Sequence, residues 1–147
     1  MGTHKLGKSK NGKLMHYSVG ALIEKDGKYL LIERAIYPPG YAGPAGHIDE
    51  GETPEQALPR EVWEETKLEV EDHKLLFEEE LDWNKCVQGI DIHHWHLYDC
   101  KVSGKMKMNP KEAESIGWYS VDEIKELYEK SKLEEVWEYW FKKLNLI

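Results

Sequence analysis

Cysteine is scarce in this chain: only Cys86 and Cys100 occur among 147 residues, and they do not form a Cys-x-x-Cys pair. The sequence therefore indicates neither a disulfide framework nor a cysteine-based zinc motif. Long hydrophobic runs are missing too, since no apolar stretch approaches the roughly 20 residues needed to span a bilayer. Residues 1–13 lack the apolar core of a signal peptide. We therefore expect a cytoplasmic protein that does not insert into membranes.

Basic residues are outnumbered, with 20 Lys and Arg against 28 Asp and Glu, and the formal net charge is −8. Residues 1–13 hold four lysines and no acid, so the remaining chain has 16 basic against 28 acidic residues, a net charge of −12. So acidic a body is a poor match for duplex nucleic acid, whose binding relies on neutralising phosphates. An acidic protein that handles phosphates would need metal ions to mediate the contact. We expect residues 1–13 to be a flexible, solvated basic segment, with a nucleic-acid arm as the alternative.

The rest of the chain, residues 14–147, has the length of one domain and contains no internal repeat or dividing linker. Segments rich in β-branched and aromatic residues predict five strands, at Leu14–Glu24, Lys28–Ala35, Leu75–Leu81, Val87–Val102 and Ile116–Tyr119. The first two are joined at Asp26-Gly27, a strong hairpin signal because both residues tolerate positive φ. Residues 36–52 are rich in Gly and Pro and are predicted to form a loop with at most one short strand.

Three helices are predicted between and after these strands. Thr53 as N-cap, Pro54 at the first helical position and Gln56 closing a capping box indicate a helix to about Thr66. A second capping box at Ser120 opens a helix to about Lys130. The last helix presents an apolar face that we expect to dock on the sheet, formed by Leu133, Val136, Trp137, Trp140, Phe141 and Leu144. Strands interleaved with single helices predict an α/β sandwich around a mixed β-sheet.

Three carboxylates share one face of the first helix. Residues turn by about 100° along an α-helix, so Glu61, Glu64 and Glu65 fall within one arc of about 100°. Like charges at these spacings destabilise a helix, and they lie at its negative, C-terminal end. A divalent cation reverses the sign of this effect, because Mg²⁺ prefers hard carboxylate oxygens. Arg60 can pair with Glu64 and hold the carboxylates in place. Taken alone, the three glutamates are also compatible with an ordinary solvated surface.

The spacing of the residues around the three glutamates distinguishes them from an ordinary acidic surface. The segment from Gly46 to Leu68 resembles the Nudix box. In it, five residues separate Gly46 from Glu52, and seven more separate Glu52 from the run Arg60–Glu65. The similarity continues in Leu30–Arg34, which resembles the strand before the box loop. It also includes Glu112 and Trp118-Tyr119, which resemble the closing segment of the family. The resemblance covers nearly everything from residue 17 to residue 128, and it implies an α/β/α sandwich around a mixed sheet.

The resemblance also implies a metal-dependent chemistry. Glu61, Glu64 and Glu65 would bind Mg²⁺, with Mn²⁺ as a possible substitute, and the Gly46 carbonyl would be a further ligand. Glu52 would support the loop. The expected reaction is attack of a metal-bound water on one phosphorus of a pyrophosphate, which yields a nucleotide and a phosphorylated leaving group.

Two residues depart from the family's pattern. Lys67 stands where the family usually has Gly just after the last glutamate, a position suited to a left-handed C-cap. Pro59 lies inside the predicted helix and forfeits the hydrogen bond to the Glu55 carbonyl, so we expect either a kink or a helix that restarts at Pro59. Neither residue is an expected metal ligand.

The general base is open between two candidates. Glu112 lies in a predicted loop at residues 109–115, six positions before Trp118, and matches a loop acid that is the base in some members of the family. Glu61 is the competitor, because a carboxylate at the metal can also orient water. Glu114 is a third, less favoured acid in the same loop.

Other polar and aromatic residues are candidates for substrate contacts. Arg34 and Tyr41 are expected to contact phosphate or base, as is Trp83, with plain packing or exposure as the alternative for each. The run His93–His96 places His94 and His96 on one face of a strand. Because no third ligand is near in sequence, we expect histidines that line the cleft or pack, rather than a zinc site.

The sequence narrows the substrate only by elimination. Residues 69–88 contain neither the Pro nor the Tyr that marks two branches of the family, which leaves a mutator-type role on nucleoside triphosphates as the favoured function. The partner would be a small-molecule nucleotide, and the protein a monomer or a homodimer. The first rival is a non-catalytic, Nudix-like regulatory module that binds nucleotides. The second is a decapping-like enzyme acting on RNA ends, supported only by the basic residues 1–13.

Overall fold

Eight strands and three helices form the described part of the computed structural model, residues 3–86 and 88–147. The strands are β1 (Leu6–Lys8), β2 (Leu14–Lys25), β3 (Lys28–Arg34), β4 (Gly40–Ala42), β5 (Ala45–His47), β6 (Glu69–Leu81), β7 (Ile92–Ser103) and β8 (Ala113–Ser120). The helices are α1 (Pro54–Thr66), α2 (Val121–Glu129) and α3 (Glu135–Lys143). Among the described residues, no helix is both long and apolar enough to cross a membrane.

The sheet is mixed. Its strand order is β4-β3-β2-β7-β6, with β1 and β5 also paired to β2 and β8 paired to β3. The central pair, β2 and β7, is parallel over Met15–Ile23, and the other pairs are antiparallel. The predicted hairpin between β2 and β3 is confirmed, since Asp26 and Gly27 have φ values of 53° and 79°. The sheet is mixed because it combines antiparallel pairs with the parallel pair β2 and β7, whose long connection includes α1.

Helices cover both faces of this sheet. Because successive strand residues point to opposite faces, β2 divides its apolar side chains between two cores. Val19, Ala21 and Ile23 pack in one core with Ala57, Leu58 and Val62 of α1. Leu22 and Leu31 pack in the other with Ile124 of α2 and the four buried residues of α3, Val136, Trp137, Trp140 and Phe141. The predicted α/β/α sandwich and the docking face of the last helix are both confirmed.

Helix α1 begins and ends where its capping residues predict. The Thr53 hydroxyl accepts a hydrogen bond from the Gln56 backbone N–H at 3.2 Å, and the Gln56 side chain accepts one from Thr53 at 3.0 Å. After Thr66 the chain turns at Lys67, whose φ of 63° is left-handed. Lys67 therefore adopts the conformation that favours glycine, and its N–H bonds the Trp63 carbonyl at 2.9 Å.

Several strand boundaries differ from the predictions. Strand β6 begins at Glu69 rather than Leu75, because its polar first half is held by ladder bonds to β7 and not by burial. The segment 36–52 contains two short strands, β4 and β5, where at most one was expected. The long strand predicted from Val87 begins at Ile92 instead, and Val87 itself lies outside the described residues. Strand β8 begins at Ala113, three residues earlier than predicted.

The basic N-terminal segment is not the flexible tail that we predicted, as far as residues 3–13 are described. Strand β1 pairs antiparallel with the start of β2, in register from Leu6 opposite His16 to Lys8 opposite Leu14. Gly12, with φ of 77°, allows the intervening turn. The Lys5 N–H also bonds the Ile48 carbonyl at 2.8 Å. These backbone bonds leave few sequence signals, because an edge strand needs no apolar pattern.

Pro59 tests the continuity of α1. The helix runs unbroken from Pro54 to Thr66 with Pro59 inside it, so Pro59→Ala restores an N–H donor to the Glu55 carbonyl. We expect this variant to be more stable by about 1–2 kcal/mol, net of the entropy that alanine returns to the unfolded chain.

The matched control is Pro54→Ala in the same helix. Proline at the first helical position forfeits no bond, so this change should alter stability by less than about 0.5 kcal/mol. Denaturant unfolding of both variants measures the difference. A Pro59→Ala variant no more stable than the parent would contradict a helix strained at this position.

Candidate active site

Arg60 joins the loop before α1 to the glutamates of the helix. Its guanidinium donates two hydrogen bonds to the Glu52 carboxylate, at 2.7 and 2.8 Å. It donates others to the Glu61 carboxylate at 2.9 Å and to the His47 carbonyl at 3.0 Å. Its contact with Glu64, at 3.3 Å, is longer. The paired Arg60 lowers the pKa of Glu52, which also accepts a bond from the Asp49 N–H at 2.8 Å.

Glu61 lies directly over Gly46. A Cβ atom on Gly46 would overlap the Glu61 carboxylate, so only glycine allows the side chain this position. Burial raises the pKa of Glu61 to about 8, against the opposing effect of Arg60. The carboxylate is therefore held close to the backbone of β5 in a place that disfavours its negative charge.

Glu65 and Glu64 differ in their surroundings. The Glu65 carboxylate accepts a hydrogen bond from the Ala45 N–H at 2.9 Å. Burial, followed by the charge of Glu61, raises its pKa. The Glu64 side chain is 51% exposed and faces solvent beside Arg60. The helix thus presents two carboxylates to the loop and one to the solvent at the mouth of the site.

The three carboxylates do not meet at one point. Two clusters of potential ligand atoms within 4.8 Å of one another occur in the described residues, and neither contains Glu61, Glu64 and Glu65 together. The carboxylates have different partners, since Glu61 accepts a hydrogen bond from Arg60 and Glu65 accepts one from the Ala45 N–H. The donor set is nevertheless all hard oxygen, next to a backbone that glycine leaves accessible, and this fits a divalent cation of the magnesium type.

A cleft of about 540 Å³ opens over this helix face. Its lining includes all three glutamates, Gly46, Arg60, Glu112 and Arg34. Glu112 precedes β8, held by its N–H to the Asn109 carbonyl at 3.1 Å and its carbonyl to the Ala35 N–H at 2.9 Å. Its charge contributes to the raised pKa values of Glu61 and Glu65. A cleft of this volume is in the usual range for a small-molecule site.

Arg34 is a second cation that lines the cleft. Its guanidinium is fixed by the Pro38 carbonyl at 2.6 Å and the Tyr37 carbonyl at 3.4 Å. No described carboxylate forms a salt bridge with it. A guanidinium that is bonded to carbonyls and has no carboxylate partner among the described residues can pair with an anion in the cleft.

Tyr41 and Trp83 are not brought to the cleft. The ring of Tyr41 packs edge-on against Tyr119, with centroids 5.6 Å apart. The ring of Trp83 packs against Tyr139 at 5.5 Å and is 43% exposed. Glu114 is exposed and is also absent from the described cleft lining. The positions of Tyr41 and Trp83 are those of the packing or exposure alternative given for them from the sequence.

Sequence reasoning missed several residues that line the cleft: Tyr37, His47, Cys86, Trp95, Glu134 and Trp137. Glu134 caps α3 by accepting bonds from the Val136 and Trp137 N–H groups, and burial raises its pKa to about 7. Its capping role was readable from the polar residue before an apolar helix face. The remaining residues come from β5, β7, α3 and two connections, so only the tertiary fold brings them together.

The histidine run of β7 divides between the two sheet faces, as its alternation predicts. His94 and His96 share one face, where Glu78 of β6 lies 2.8 Å from the first and 3.8 Å from the second. His93 faces the cleft beside His16 and His47. Burial, with smaller effects of neighbouring histidines, lowers the pKa of His47 to about 3 and that of His93 to about 4. Both rings are therefore neutral at physiological pH.

Fold and site together define an α/β/α domain whose first helix lines a cleft with three carboxylates, two of them packed against a glycine-containing segment. Comparisons with known proteins agree with this class. The family model described as NUDIX domain matches residues 14–140. A MutT-like protein of Streptomyces ambofaciens is 32% identical over 107 residues, covering 73% of this chain and 64% of that protein. The chain therefore belongs to the Nudix family.

Two further similarities fit that membership. The mitochondrial NAD(P)H pyrophosphatase NUDT13 of Mus musculus is 28% identical over 131 residues, which cover 78% of this chain and 33% of that protein. A MutT NUDIX hydrolase from Burkholderia pseudomallei superimposes with a TM-score of 0.67 at 28% identity, covering 76% of this chain and 87% of that one. The chain spans less than two thirds of the length of both curated relatives.

Proposed function

We propose that this protein hydrolyses the pyrophosphate bond of a nucleoside diphosphate linked to another group, with Mg²⁺ as cofactor and Mn²⁺ as a substitute. One observation carries the proposal. Glu61 and Glu65, which repel each other, are packed against Gly46 and Ala45 at the edge of an open cleft. A fold selected for stability alone gains nothing from this packing, because burial disfavours the charged form of both carboxylates and raises their pKa values.

The donor set supports Mg²⁺ as the cofactor. Glu61, Glu64, Glu65 and the Gly46 carbonyl would hold the cation, and they offer only oxygen ligands. When bound, the cation lowers the pKa of a coordinated water and neutralises charge on phosphate oxygens. Glu52 has a different part: it holds Arg60 through two hydrogen bonds, and Arg60 in turn orients Glu61.

The protein's own residues supply orientation and proton transfer. Arg34, fixed by two carbonyls, would bind a substrate phosphate in the cleft that the glutamates also line. Glu112 would accept the proton of the attacking water, because it lines the same cleft and is anchored at both backbone ends. Glu61 is the competing base, but its hydrogen bond to Arg60 engages the carboxylate that would accept the proton.

A small nucleotide suits the cleft better than a polymer. The volume of about 540 Å³ accommodates one nucleotide with its phosphates. Tyr37, which is 52% exposed, supplies an aromatic ring at the cleft on which a base can stack. The relatives' names include a MutT-like protein and an NAD(P)H pyrophosphatase. We favour a nucleoside triphosphate, and the two unpaired thiols, Cys86 and Cys100, support a reducing, cytoplasmic setting.

The rival functions have less support. A regulatory module that only binds nucleotides has no need of an intact carboxylate face, yet Glu61, Glu64 and Glu65 are all present and directed to one region. An enzyme that acts on RNA ends needs a basic surface that binds the phosphates of the RNA. Leu6–Lys8 within the basic segment are paired to β2, which limits the use of this segment as an extended nucleic-acid arm.

The experiment for this function is a hydrolysis screen over nucleoside triphosphates, dinucleotides and nucleotide sugars, with Mg²⁺, Mn²⁺ or EDTA. We expect release of a nucleoside monophosphate with Mg²⁺ and none with EDTA, because the carboxylates act through the cation. Glu65→Gln is the inactive comparison. Binding of nucleotides without any turnover in either metal would favour the regulatory module.

Glu112 is tested on the best substrate from that screen. Glu112→Gln keeps the size of the side chain and removes its basicity, so kcat should fall at least about a hundredfold with KM nearly unchanged. Glu114→Gln, an exposed change two residues away, is the matched control and should keep the parent rate. If Glu112→Gln stays within a fewfold of the parent, the base is Glu61 or the cation-bound water needs no base.

A further inference from the structure

Three histidines meet on one face of the sheet at the floor of the cleft. His16 of β2 and His93 of β7 are direct partners across the parallel pair. His47 of β5 pairs with Ser18, two residues along β2 from His16 and therefore on the same face. The ring centroids of His16 and His47 are 4.5 Å apart, and both lie within 5.7 Å of the His93 ring.

Cys86 completes this group from the connection between β6 and β7. Its Sγ atom lies 3.8 Å from Nδ1 of His16. One ligand atom from each of His16, His47, Cys86 and His93 lies within 4.8 Å of all the others. Tetrahedral zinc with these ligands places neighbouring ligand atoms about 3.3–3.6 Å apart. Side-chain movements of about 1 Å would therefore bring the four atoms to that geometry.

Burial separates this group from an ordinary surface cluster. His16 and His93 are each 2% exposed, and Cys86 is 9% exposed. Nδ1 of His93 is buried without a hydrogen-bond partner among the described residues. Buried ring nitrogens are normally satisfied, so an orphaned one requires an explanation. A metal ion that accepts the lone pair of this nitrogen supplies the missing partner.

We propose that His16, His47, Cys86 and His93 form a zinc site with one Zn²⁺ bound by three imidazole nitrogens and one thiolate. Four protein ligands leave no open position, which is the arrangement of a structural rather than a catalytic zinc. Binding releases the Cys86 thiol proton to the solvent, so one proton appears for each ion bound. This site goes beyond the proposed hydrolysis and does not depend on it.

The nitrogen and sulfur ligands distinguish this site from the carboxylates of α1. Thiolate and imidazole favour zinc, whereas carboxylate and carbonyl oxygens favour magnesium. The two sites are nevertheless joined through β5, because His47 follows Gly46 and its carbonyl accepts a hydrogen bond from Arg60 at 3.0 Å. A bound zinc would fix the cysteine-bearing connection to β2 and β5, and so fix one wall of the nucleotide cleft.

A second cluster on the opposite sheet face is the main competitor. Glu78, His94 and His96 also bring three potential ligand atoms together. That cluster has a simpler explanation, because Glu78 already pairs with both histidines and its side chain is 51% exposed. It supplies no thiolate, so a spectroscopic test can separate the two.

The test uses the whole chain of 147 residues, freed of metal with a chelator and titrated with Co²⁺ in the presence of excess Mg²⁺. We expect one Co²⁺ per chain, with visible bands of tetrahedral intensity and a near-ultraviolet thiolate charge-transfer band. Zn²⁺ should then displace the Co²⁺. Cys86→Ala should abolish the charge-transfer band and weaken Zn²⁺ binding at least about a hundredfold, since even outer-shell changes cost about 10–100-fold. Cys100→Ala, at the other buried cysteine, should retain both signals.

Each other outcome overturns the proposal. A parent protein that shows no tetrahedral Co²⁺ spectrum has no such site, whether or not any variant folds. A charge-transfer band that survives in Cys86→Ala excludes Cys86 as a ligand. Loss of the spectrum in His94→Gln would assign the metal to the opposite face. Because no readout is nucleotide hydrolysis, a failure here leaves the proposed function unaffected, and the reverse also holds.

Discussion

The hydrogen bonds of Arg60 make the rest of this site possible. A single guanidinium bonds Glu52 and the His47 carbonyl on the loop side and Glu61 on the helix side. It thereby fixes the distance between α1 and β5, which in turn sets Glu61 against Gly46. A lysine offers one point charge in place of a planar fork and would not hold these groups at once. The geometry of the cleft floor therefore depends on this residue.

The site keeps its carboxylates in unfavourable surroundings. Glu61 and Glu65 lose solvent and repel each other near the negative end of α1, and both have raised pKa values as a result. The two hydrophobic cores on either side of the sheet stabilise the fold and offset the cost of this arrangement. Local destabilisation that the surrounding fold sustains is characteristic of functional sites.

The features readable from the sequence are those encoded locally. The Asp26-Gly27 turn and the Thr53 capping box each depend on residues a few positions apart, and both form as predicted. The resemblance to the Nudix box located the carboxylate face. The main partner of Arg60 was not foreseen, because the choice of Glu52 over Glu64 depends on how the loop folds back.

Features that depend on strand pairing escaped the sequence. The pairing of β1 carries no apolar pattern, so a basic edge strand looks like a tail. The histidine and cysteine cluster combines residues of β2, β5, β7 and the connection before β7. Its most distant members in the chain, His16 and His93, are 77 residues apart. Only the register of the sheet brings them together. The third partner of His94 and His96 likewise comes from the neighbouring strand β6.

The most direct measurement is the shift in melting temperature that Mg²⁺ causes in the parent and in Glu64→Gln. We expect this variant to melt slightly higher without metal, to gain less from Mg²⁺ than the parent and to be nearly inactive, because it loses one repelling charge and one proposed ligand. Glu129→Gln, an exposed glutamate at the end of α2, is the matched control and should keep the parent's Mg²⁺ shift. Full activity and an unchanged Mg²⁺ shift in Glu64→Gln would contradict the assignment of this helix face to metal binding.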